Sequence, residues 1–268
     1  HAPADKSTVM MGGDAGVIYR VIKGTKLMKE QTNTALTIRG MHAINGGNVW
    51  AVGDKGQALR LSGGTWSSVP LPKANADLHG LTATATGRLL TVGDGGYVAA
   101  TESKLWKDSL SNDPKSRDLY GIWSVGEKEA WAVGLEGALI HHIGSKWNVT
   151  DIDGTYMKTG TFRAVWGMAA SGSSETFAFA VGDKGVGIRF DGATDKWLDY
   201  RAETTAHLNN VAALPDGRVV IAGDSGVLLE APDAKSAFVD LGVAVTGTHL
   251  RGVSDDGAKG FWAVGDDG

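Results

Sequence analysis

The chain lacks, or has little of, several features that would assign it to a functional class. It has 268 residues, no cysteine, only 6 prolines and a formal net charge of -4. Without cysteine it can form no disulfide, thiolate metal ligand or cysteine nucleophile. The slight acidic excess gives no indication of nucleic-acid binding, and no apolar run reaches the roughly 18 residues of a membrane-spanning helix. Hydrophobic residues make up 42% of the chain, which argues against wholesale disorder.

The abundant residue is glycine, and much of it recurs periodically. The chain has 39 glycines, and the tetrad Gly-Asp-x-Gly or a close variant occurs seven times. The copies begin at Gly13, Gly53, Gly93, Gly134, Gly182, Gly223 and Gly265. They lie 40 to 42 residues apart, except for one spacing of 48, and one copy has Leu135 in place of the aspartate. Seven copies at a near-constant period predict a repeat architecture.

Each repeat has the pattern of four short β-strands. The first strand opens with an apolar, a variable, a small and an apolar residue, as in 38–41, and the second runs directly into the tetrad, as in 49–52. The third strand alternates apolar and polar residues, and the fourth begins at a tryptophan in several repeats. Four strands in a unit of about 40 residues are typical of a β-propeller blade. We therefore expect an all-β propeller of four-stranded antiparallel blades.

The strand count favours seven blades, with six as the alternative. Partial repeats at 8–30 and 248–268 contribute three and two strands, and five complete repeats contribute four each, which gives 25 strands. The complete repeats cover about 37–72, 77–111, 118–150, 161–201 and 207–241. This is one strand more than six four-stranded blades can hold. We expect a single propeller domain over 1–268 in which the last blade is truncated.

Two stretches carry a resemblance to a known family. "LRGVSDDGAKGFWAVGDDG" and "FRAVWGMAASGSSETFAFAVGDKGVGIRFDGATDKW" resemble the bacterial and plastid propellers related to the photosystem II stability and assembly factor. The turn before the fourth-strand tryptophan also resembles a degenerate Asp-box, or BNR, repeat. The resemblance implies a non-catalytic, periplasmic or secreted platform for assembly or protein binding. We also predict no cofactor, and from charge and composition no nucleic-acid partner and no membrane span.

The variable position of the first strand is the main candidate binding site. In a propeller this strand lines the central channel, and the position is polar or amphipathic in all six repeats that contain a first strand. The residues are Arg39, His79, Tyr120, Arg163, Asn209 and Arg251. The arginines could form an electropositive channel mouth for a partner's acidic or carboxylate-bearing segment. Alternatively, each could pair with a turn aspartate such as Asp54, Asp183 or Asp266.

Several further residues support competing functions. Trp123 and Trp166 lie outside the repeated tryptophan positions and could contact a ligand, whereas the repeated tryptophans should pack between blades. With Tyr120 they leave open a glycan-binding lectin or a glycoside-acting, sialidase-like protein, and a structural subunit of an extracellular assembly is a further alternative. The insertion at 151–161 is a candidate contact loop. The turn aspartates are expected to serve turn geometry rather than to bind metal, and we predict no catalytic residue.

Overall fold

The structure is a computed structural model, and its described residues form 25 strands, the number that the repeats predict. It describes residues 8–22, 26–44, 48–72, 75–102, 105–109, 113, 115–127, 129–144, 146–150, 152, 160–169, 176–200, 202–242, 247–256 and 259–266. The insertion expected at 151–161 lies mostly outside the described residues. None of the described residues forms a helix long and apolar enough to cross a membrane.

The strands form seven antiparallel sheets, each built from consecutive strands. The first contains β1 (Thr8–Gly12), β2 (Ile18–Ile22) and β3 (Lys26–Lys29). The second contains β4 (Ile38–Ile44), β5 (Asn48–Gly53), β6 (Ala58–Ser62) and β7 (Thr65–Val69). The third contains β8 (Leu78–Ala83), β9 (Leu89–Gly93), β10 (Tyr97–Glu102) and β11 (Leu105–Ser109). The fourth contains β12 (Leu119–Ser124), β13 (Glu129–Gly134), β14 (Leu139–Ile143) and β15 (Lys146–Val149).

The remaining sheets repeat the same design. The fifth contains β16 (Phe162–Ala169), β17 (Thr176–Gly182), β18 (Gly187–Asp191) and β19 (Lys196–Asp199). The sixth contains β20 (Leu208–Ala213), β21 (Val219–Gly223), β22 (Leu228–Ala231) and β23 (Val239–Asp240). The last contains only β24 (Leu250–Asp255) and β25 (Phe261–Gly265). These are the four-stranded antiparallel blades of a β-propeller, as the sequence predicts.

The number of blades differs from the main sequence-based expectation. Five sheets are complete, and the three-stranded and two-stranded sheets at the ends of the chain supply five further strands. The structure has six blades rather than seven, so the seven-blade prediction is not confirmed. Strand counting could not decide this, because a count does not show how the strands of incomplete blades are used.

The chain divides into two compact units, and the division passes through the fourth blade. Unit 1 comprises His1–Ala132 and Ile140–Val149, and unit 2 comprises Val133–Leu139 and Thr150–Gly268. In unit 1, Trp50 of β5 meets Trp106 of β11 edge to face, with ring centroids 6.0 Å apart, in one core cluster. Of the repeated fourth-strand tryptophans, Trp66, Trp106 and Trp147 are buried, as the predicted packing role requires, whereas Trp197 is half-buried. Unit 2 has its own core, which includes Phe177 and Phe179 of β17.

Among the described residues, the six tetrads that begin at Gly13, Gly53, Gly93, Gly134, Gly182 and Gly223 each form a hairpin turn between two consecutive antiparallel strands. In the second blade the N–H of Gly53 donates to the carbonyl of Gln57, and the N–H of Gln57 donates back to the carbonyl of Asp54. The variable residue, Lys55, has a φ of 54° in the left-handed region. The first glycine has extended backbone, and a Cβ at Gly53 would overlap the carbonyl oxygen of Thr37. The turn of the second blade therefore requires glycine at position 53, because any side chain there would clash with the backbone of Thr37.

Candidate functional site

The variable residue of the first strand occupies a β-bulge. In the second blade Ile38 pairs with Gly53 and Gly40 pairs with Val52, so that Arg39 has no partner in the register. The same shift occurs at His79, Arg163, Asn209 and Arg251. A bulge residue is released from the ladder, and its side chain is redirected. This explains why the position can vary from blade to blade while the surrounding pattern stays constant.

Each of these five bulge residues contacts the first polar residue of the tetrad in its own blade. Arg39 donates its Nε–H to Asp54 over 2.6 Å, and Arg163 donates its Nε–H to Asp183 over 2.6 Å. The remaining pairs are His79 with Asp94 at 2.6 Å, Asn209 with Asp224 at 2.8 Å and Arg251 with Asp266 at 2.8 Å. The Arg–Asp pairing considered from sequence is therefore present at all three arginines.

The fourth blade is the exception, and its two positions change together. Tyr120 occupies the first-strand position, and Leu135 occupies the place of the turn aspartate. Neither side chain is charged, so no ion pair is possible there. Tyr120 instead meets the ring of His79 edge to face, with ring centroids 5.1 Å apart. Two of the predicted site residues are thereby brought into direct contact.

A second set of polar side chains, which the sequence analysis did not identify, contacts the tetrad turn of the preceding blade. These residues lie immediately before the first strand. Asp77 accepts a hydrogen bond from the N–H of Lys55 at 2.8 Å, and Asp118 accepts one from the N–H of Gly95 at 2.7 Å. The equivalent residues in unit 2 are His207, 3.0 Å from Asp183, and His249, 3.2 Å from Asp224. Their fixed position two residues before each variable residue was a signal in the sequence.

These contacts join the predicted residues into networks within each unit. In unit 2, Asp224 accepts hydrogen bonds from Nδ2 of Asn209 at 2.8 Å and from Nη1 of Arg251 at 3.2 Å. Asp183 is shared by Arg163 and His207. In unit 1, a guanidinium nitrogen of Arg39 also lies 3.9 Å from Asp77.

The surroundings of the bulge residues are less positively charged than the sequence-based expectation of an electropositive channel mouth. In unit 1, Arg39 is accompanied by Asp54, Asp77 and Asp94, so that carboxylates outnumber guanidiniums. In unit 2, Arg163 and Arg251 lie among Asp183, Asp224 and Asp266. The hydrogen bond from Arg251 holds the pKa of Asp266 below its ordinary value, and that hydrogen bond raises the pKa of Arg251. The positive charges are thus largely balanced by the turn aspartates.

The two candidate aromatic contacts lie in different surroundings. Trp123 on β12 is half-buried, and its ring lies 6.3 Å from that of His42 on β4. Trp166 on β16 is half-buried and packs against the core cluster of unit 2.

The titratable groups near these aromatic residues give no sign of a metal site. Burial disfavours the charged form of His42 and lowers the pKa of that imidazole to about 4. Within the described part of the chain, no group of three or more His, Asp or Glu residues could hold a metal ion.

Comparison with solved structures places this arrangement on a known fold. YCF48 from Cyanidioschyzon merolae superposes with a TM-score of 0.74 and 14% identity over 100% of this chain and 92% of that chain. The chain shares the β-propeller fold of YCF48. The resemblance to the photosystem II assembly-factor propellers, noted from the motifs, is confirmed at the level of the fold. A YCF48 structure bound to D1 peptide matches with a TM-score of 0.74 and 14% identity over 98% of this chain and 87% of that one.

An enzyme has the same fold. A catalytically inactive virginiamycin B lyase from Staphylococcus aureus, with quinupristin, matches with a TM-score of 0.76 and 12% identity, covering 99% of this chain and 94% of that chain. No protein-family model matches the sequence, and no curated protein matches it. At these identities the similarity establishes the fold alone, and the function must be argued from the site.

Proposed function

We propose that this chain is a non-catalytic platform that binds another protein through its bulge residues and the turns beside them. The proposal rests on one observation. The backbone of the blades repeats, whereas the side chain at the bulge position differs from blade to blade. Arg39 and Arg163 are each 39% exposed, and Arg251 is 48% exposed. Half-exposed, conformationally fixed polar groups can recognise a partner without paying a large ordering cost. YCF48 bound to D1 peptide provides a precedent for peptide recognition on this fold.

The proposed partner presents a carboxylate-bearing segment to unit 2. Arg163 and Arg251 are half-exposed there, and His207 and His249 lie beside them with 38% and 42% of their side chains exposed. A partner carboxylate would compete with Asp183 and Asp266 for the guanidiniums. Because the arginines already have acidic partners, the exchange should give modest affinity that decreases as salt is added.

Binding of short labelled peptides tests this proposal. Acidic peptides with a free C-terminal carboxylate are compared with their amidated forms and with basic peptides of equal length, by fluorescence anisotropy at low and high salt. Replacing Arg39, Arg163 and Arg251 together by Ala should weaken binding of acidic peptides by about tenfold or more, which corresponds to the loss of one good charge-assisted contact.

The matched control removes three positive charges elsewhere. Lys26, Lys29 and Lys107 are exposed residues of the fourth strands β3 and β11. Their combined replacement by Ala changes the net charge equally and should leave peptide binding unchanged. Equal losses in the two triple variants, or a preference for basic peptides, would overturn the carboxylate assignment.

The absence of catalysis and the location outside the cytoplasm are part of the same proposal. The carboxylates of the turns are engaged with the arginines of the bulge positions and with the imidazoles of His79, His207 and His249, which suits recognition better than proton transfer. A screen for glycosidase and lyase activity with the purified chain tests the first point. Cell fractionation of the tagged natural protein tests the second, which rests on the family resemblance.

A further inference from the structure

The residue two positions before a bulge residue can contact the preceding turn in two ways. The Oγ1–H of Thr37 donates to Oδ1 of the turn aspartate Asp14 at 3.2 Å. The carboxylate of Asp77 does the opposite, because it accepts the N–H of the central turn residue Lys55 at 2.8 Å. At this position a hydroxyl therefore donates to the turn carboxylate, whereas a carboxylate accepts from the turn backbone. Neither type of side chain ordinarily gains or loses a proton near neutral pH.

His249 occupies this position in unit 2 and lies within hydrogen-bonding distance of both kinds of partner. Its Nδ1 is 3.2 Å from Oδ1 of Asp224, which is an acceptor, and 3.3 Å from the backbone nitrogen of Ser225, which is a donor. A ring nitrogen of histidine either carries a proton and donates or presents a lone pair and accepts. Nδ1 of His249 can therefore satisfy only one of these two neighbours at a time.

The neutral imidazole suits the backbone partner. Oδ1 of Asp224 already accepts hydrogen bonds from Nδ2 of Asn209 at 2.8 Å and from Nη1 of Arg251 at 3.2 Å. A third donor would crowd this one oxygen, whereas the N–H of Ser225 is placed to donate to residue 249 as the N–H of Lys55 does to its own partner. The contacts therefore assign the neutral ring a proton on Nε2 and a lone pair on Nδ1, directed to Ser225.

The charged imidazole suits the carboxylate instead. The charged groups around His249 are Asp224 of the turn, Arg251 of β24 and Asp266 after β25. Both ring nitrogens of a protonated histidine donate, so Nδ1 can no longer accept from Ser225 and turns to Oδ1 of Asp224. Arg251 is held on its other side, because its Nε and Nη2 donate to the two carboxylate oxygens of Asp266 at 3.1 and 2.8 Å. The guanidinium can therefore release Asp224 from Nη1 without leaving its place.

We propose that His249 is a proton-operated switch that regulates carboxylate binding by unit 2, an inference that rests on the proposed function. While the ring is neutral, Nδ1 accepts from Ser225, and Asp224 retains Nη1 of Arg251. When the ring is charged, Nδ1–H takes the oxygen of Asp224, and Nη1 of Arg251 becomes available to a carboxylate of the partner. Histidine is the residue type that ordinarily changes charge between about pH 5 and 8. Mild acidification therefore strengthens binding of the partner.

The histidine before β20 should act in the same direction. Nδ1 of His207 lies 3.0 Å from Oδ1 of Asp183, the oxygen to which Arg163 donates its Nε–H at 2.6 Å. A protonated His207 therefore also competes with a guanidinium for one carboxylate oxygen, and it adds positive charge to unit 2. The equivalent residues Asp77 and Asp118 of unit 1 cannot become cationic. The pH response is therefore assigned to unit 2.

Nuclear magnetic resonance of the isotope-labelled chain tests the switch without any ligand. Between about pH 8 and about pH 5, the ring nitrogen signals of His249 should show Nδ1 without a proton at the high end and with one at the low end. The amide signal of Ser225 should move with the same midpoint. His249→Thr copies the donor role of Thr37, and His249→Asp copies the acceptor role of Asp77, so neither variant should show this movement. A proton on Nδ1 at the high end, or a Ser225 amide that does not follow the titration, would overturn the switch.

Peptide binding tests the regulation. A dye-labelled pentaglutamate peptide is titrated with the chain at about pH 8 and about pH 5.5, and every chain carries His207→Asn so that residue 207 does not titrate. Affinity should rise about tenfold on acidification, because one charge-assisted donor is released and one positive charge is gained. In His249→Thr and His249→Asp the rise should be less than about twofold. An amidated pentaglutamine peptide is the control and should show no rise.

The two measurements separate the failure of the regulation from the failure of the proposed function. Equal rises in the chain with His249 and in its two variants would overturn regulation by His249. No binding of pentaglutamate at either pH would instead refute the proposed function and with it the regulation, and the spectra alone would then decide the switch.

Discussion

Arg39 donates its Nε–H to Oδ1 of Asp54 across 2.6 Å, although the two residues are separated by 15 positions in the chain. The contact joins the bulge of the first strand to the turn that follows the second strand. The same relationship holds at His79, Asn209 and Arg251, with the same separation. Each of these blades therefore holds its variable side chain against its own turn. The backbone geometry is the same in each blade, whereas the side chain that it presents differs.

The Arg39–Asp54 pair should contribute little to stability. The arginine side chain is 39% exposed, and that of the aspartate is 23% exposed. Pairs of this kind couple by less than about 1 kcal/mol, because water screens them and the side chains lose freedom. A double-mutant cycle with Arg39→Ala and Asp54→Ala, followed by urea unfolding, measures the coupling. A coupling energy above about 2 kcal/mol would show that the pair holds the blade together rather than presenting a charge.

Two equivalent glycines should respond very differently to alanine. A Cβ at Gly53 would overlap the carbonyl oxygen of Thr37, whereas a Cβ at Gly13 would meet nothing within 4 Å. Both have extended backbone, so steric space is the main difference. Gly53→Ala should lower the free energy of unfolding by about 2 kcal/mol. Gly13→Ala should leave it unchanged or raise it by up to about 1 kcal/mol, because the unfolded chain loses freedom. Similar urea midpoints for the two variants would contradict this account.

The central residue of the turn should tolerate glycine and reject a β-branched side chain. Lys55 has a φ of 54°, and the third blade has Gly95, with a φ of 64°, at the same place. Lys55→Val should destabilise the protein by about 1 kcal/mol, since the left-handed region is costly for such residues. Lys55→Gly should be neutral or stabilising. Thermal unfolding of both variants tests the prediction, and a Val variant as stable as the Gly variant would refute it.

Acid sensitivity should arise in part from Asp113. This carboxylate is buried, which opposes its ionisation, but hydrogen bonds from Arg117 outweigh burial and hold the pKa of Asp113 below its ordinary value. The unfolded state therefore takes up the proton first as the pH falls. The stabilisation is complete at neutral pH and is lost from about pH 5 downwards, through the lower pKa of the folded state.

The variant Asp113→Asn tests this assignment. It should lower the free energy of unfolding at neutral pH by about 3 kcal/mol, because a neutral amide replaces the buried carboxylate that pairs with the Arg117 guanidinium. In this variant the free energy of unfolding should also fall less steeply as the pH decreases below about 5, the range called the acid limb. Arg218→Ala removes a guanidinium from the more exposed pair with Asp216, whose pKa Arg218 also lowers, and it is the comparison variant. Its stability should still fall more steeply with decreasing pH than that of Asp113→Asn. An unchanged acid limb in Asp113→Asn would contradict the prediction.

His42 should add a second and earlier pH dependence. Burial lowers its pKa from the ordinary histidine value of 6.5 to about 4. The neutral imidazole is therefore favoured in the folded state, and this contribution is present above about pH 6.5 and is lost as the pH falls through about pH 4. His42→Gln should remove at most about 3 kcal/mol of pH-dependent stability over that range. Nuclear magnetic resonance titration of the ring should give the low pKa directly, and a value near 6.5 would rule the effect out.

The local pattern of residues predicted most of the fold. The period of the tetrads and the alternation within strands gave the blades and the 25 strands, because turn chemistry and side-chain alternation act over a few residues. The packing role predicted for the repeated fourth-strand tryptophans holds at Trp66, Trp106 and Trp147, which are buried, and less fully at Trp197, which is half-buried. The site residues could be listed from the same pattern, but their role as a binding surface stays a prediction.

The sequence by itself determined which residues turn, which pair in strands and which position in each blade is free to vary. Only the tertiary structure decided that the variable residue sits in a bulge, that Arg39 meets Asp54, and that His207 and His249 approach the turn aspartates Asp183 and Asp224. It also decided the blade count. The physical reason is range: hairpin and turn preferences are local, whereas charge pairing and edge closure depend on groups brought together only when the chain has folded.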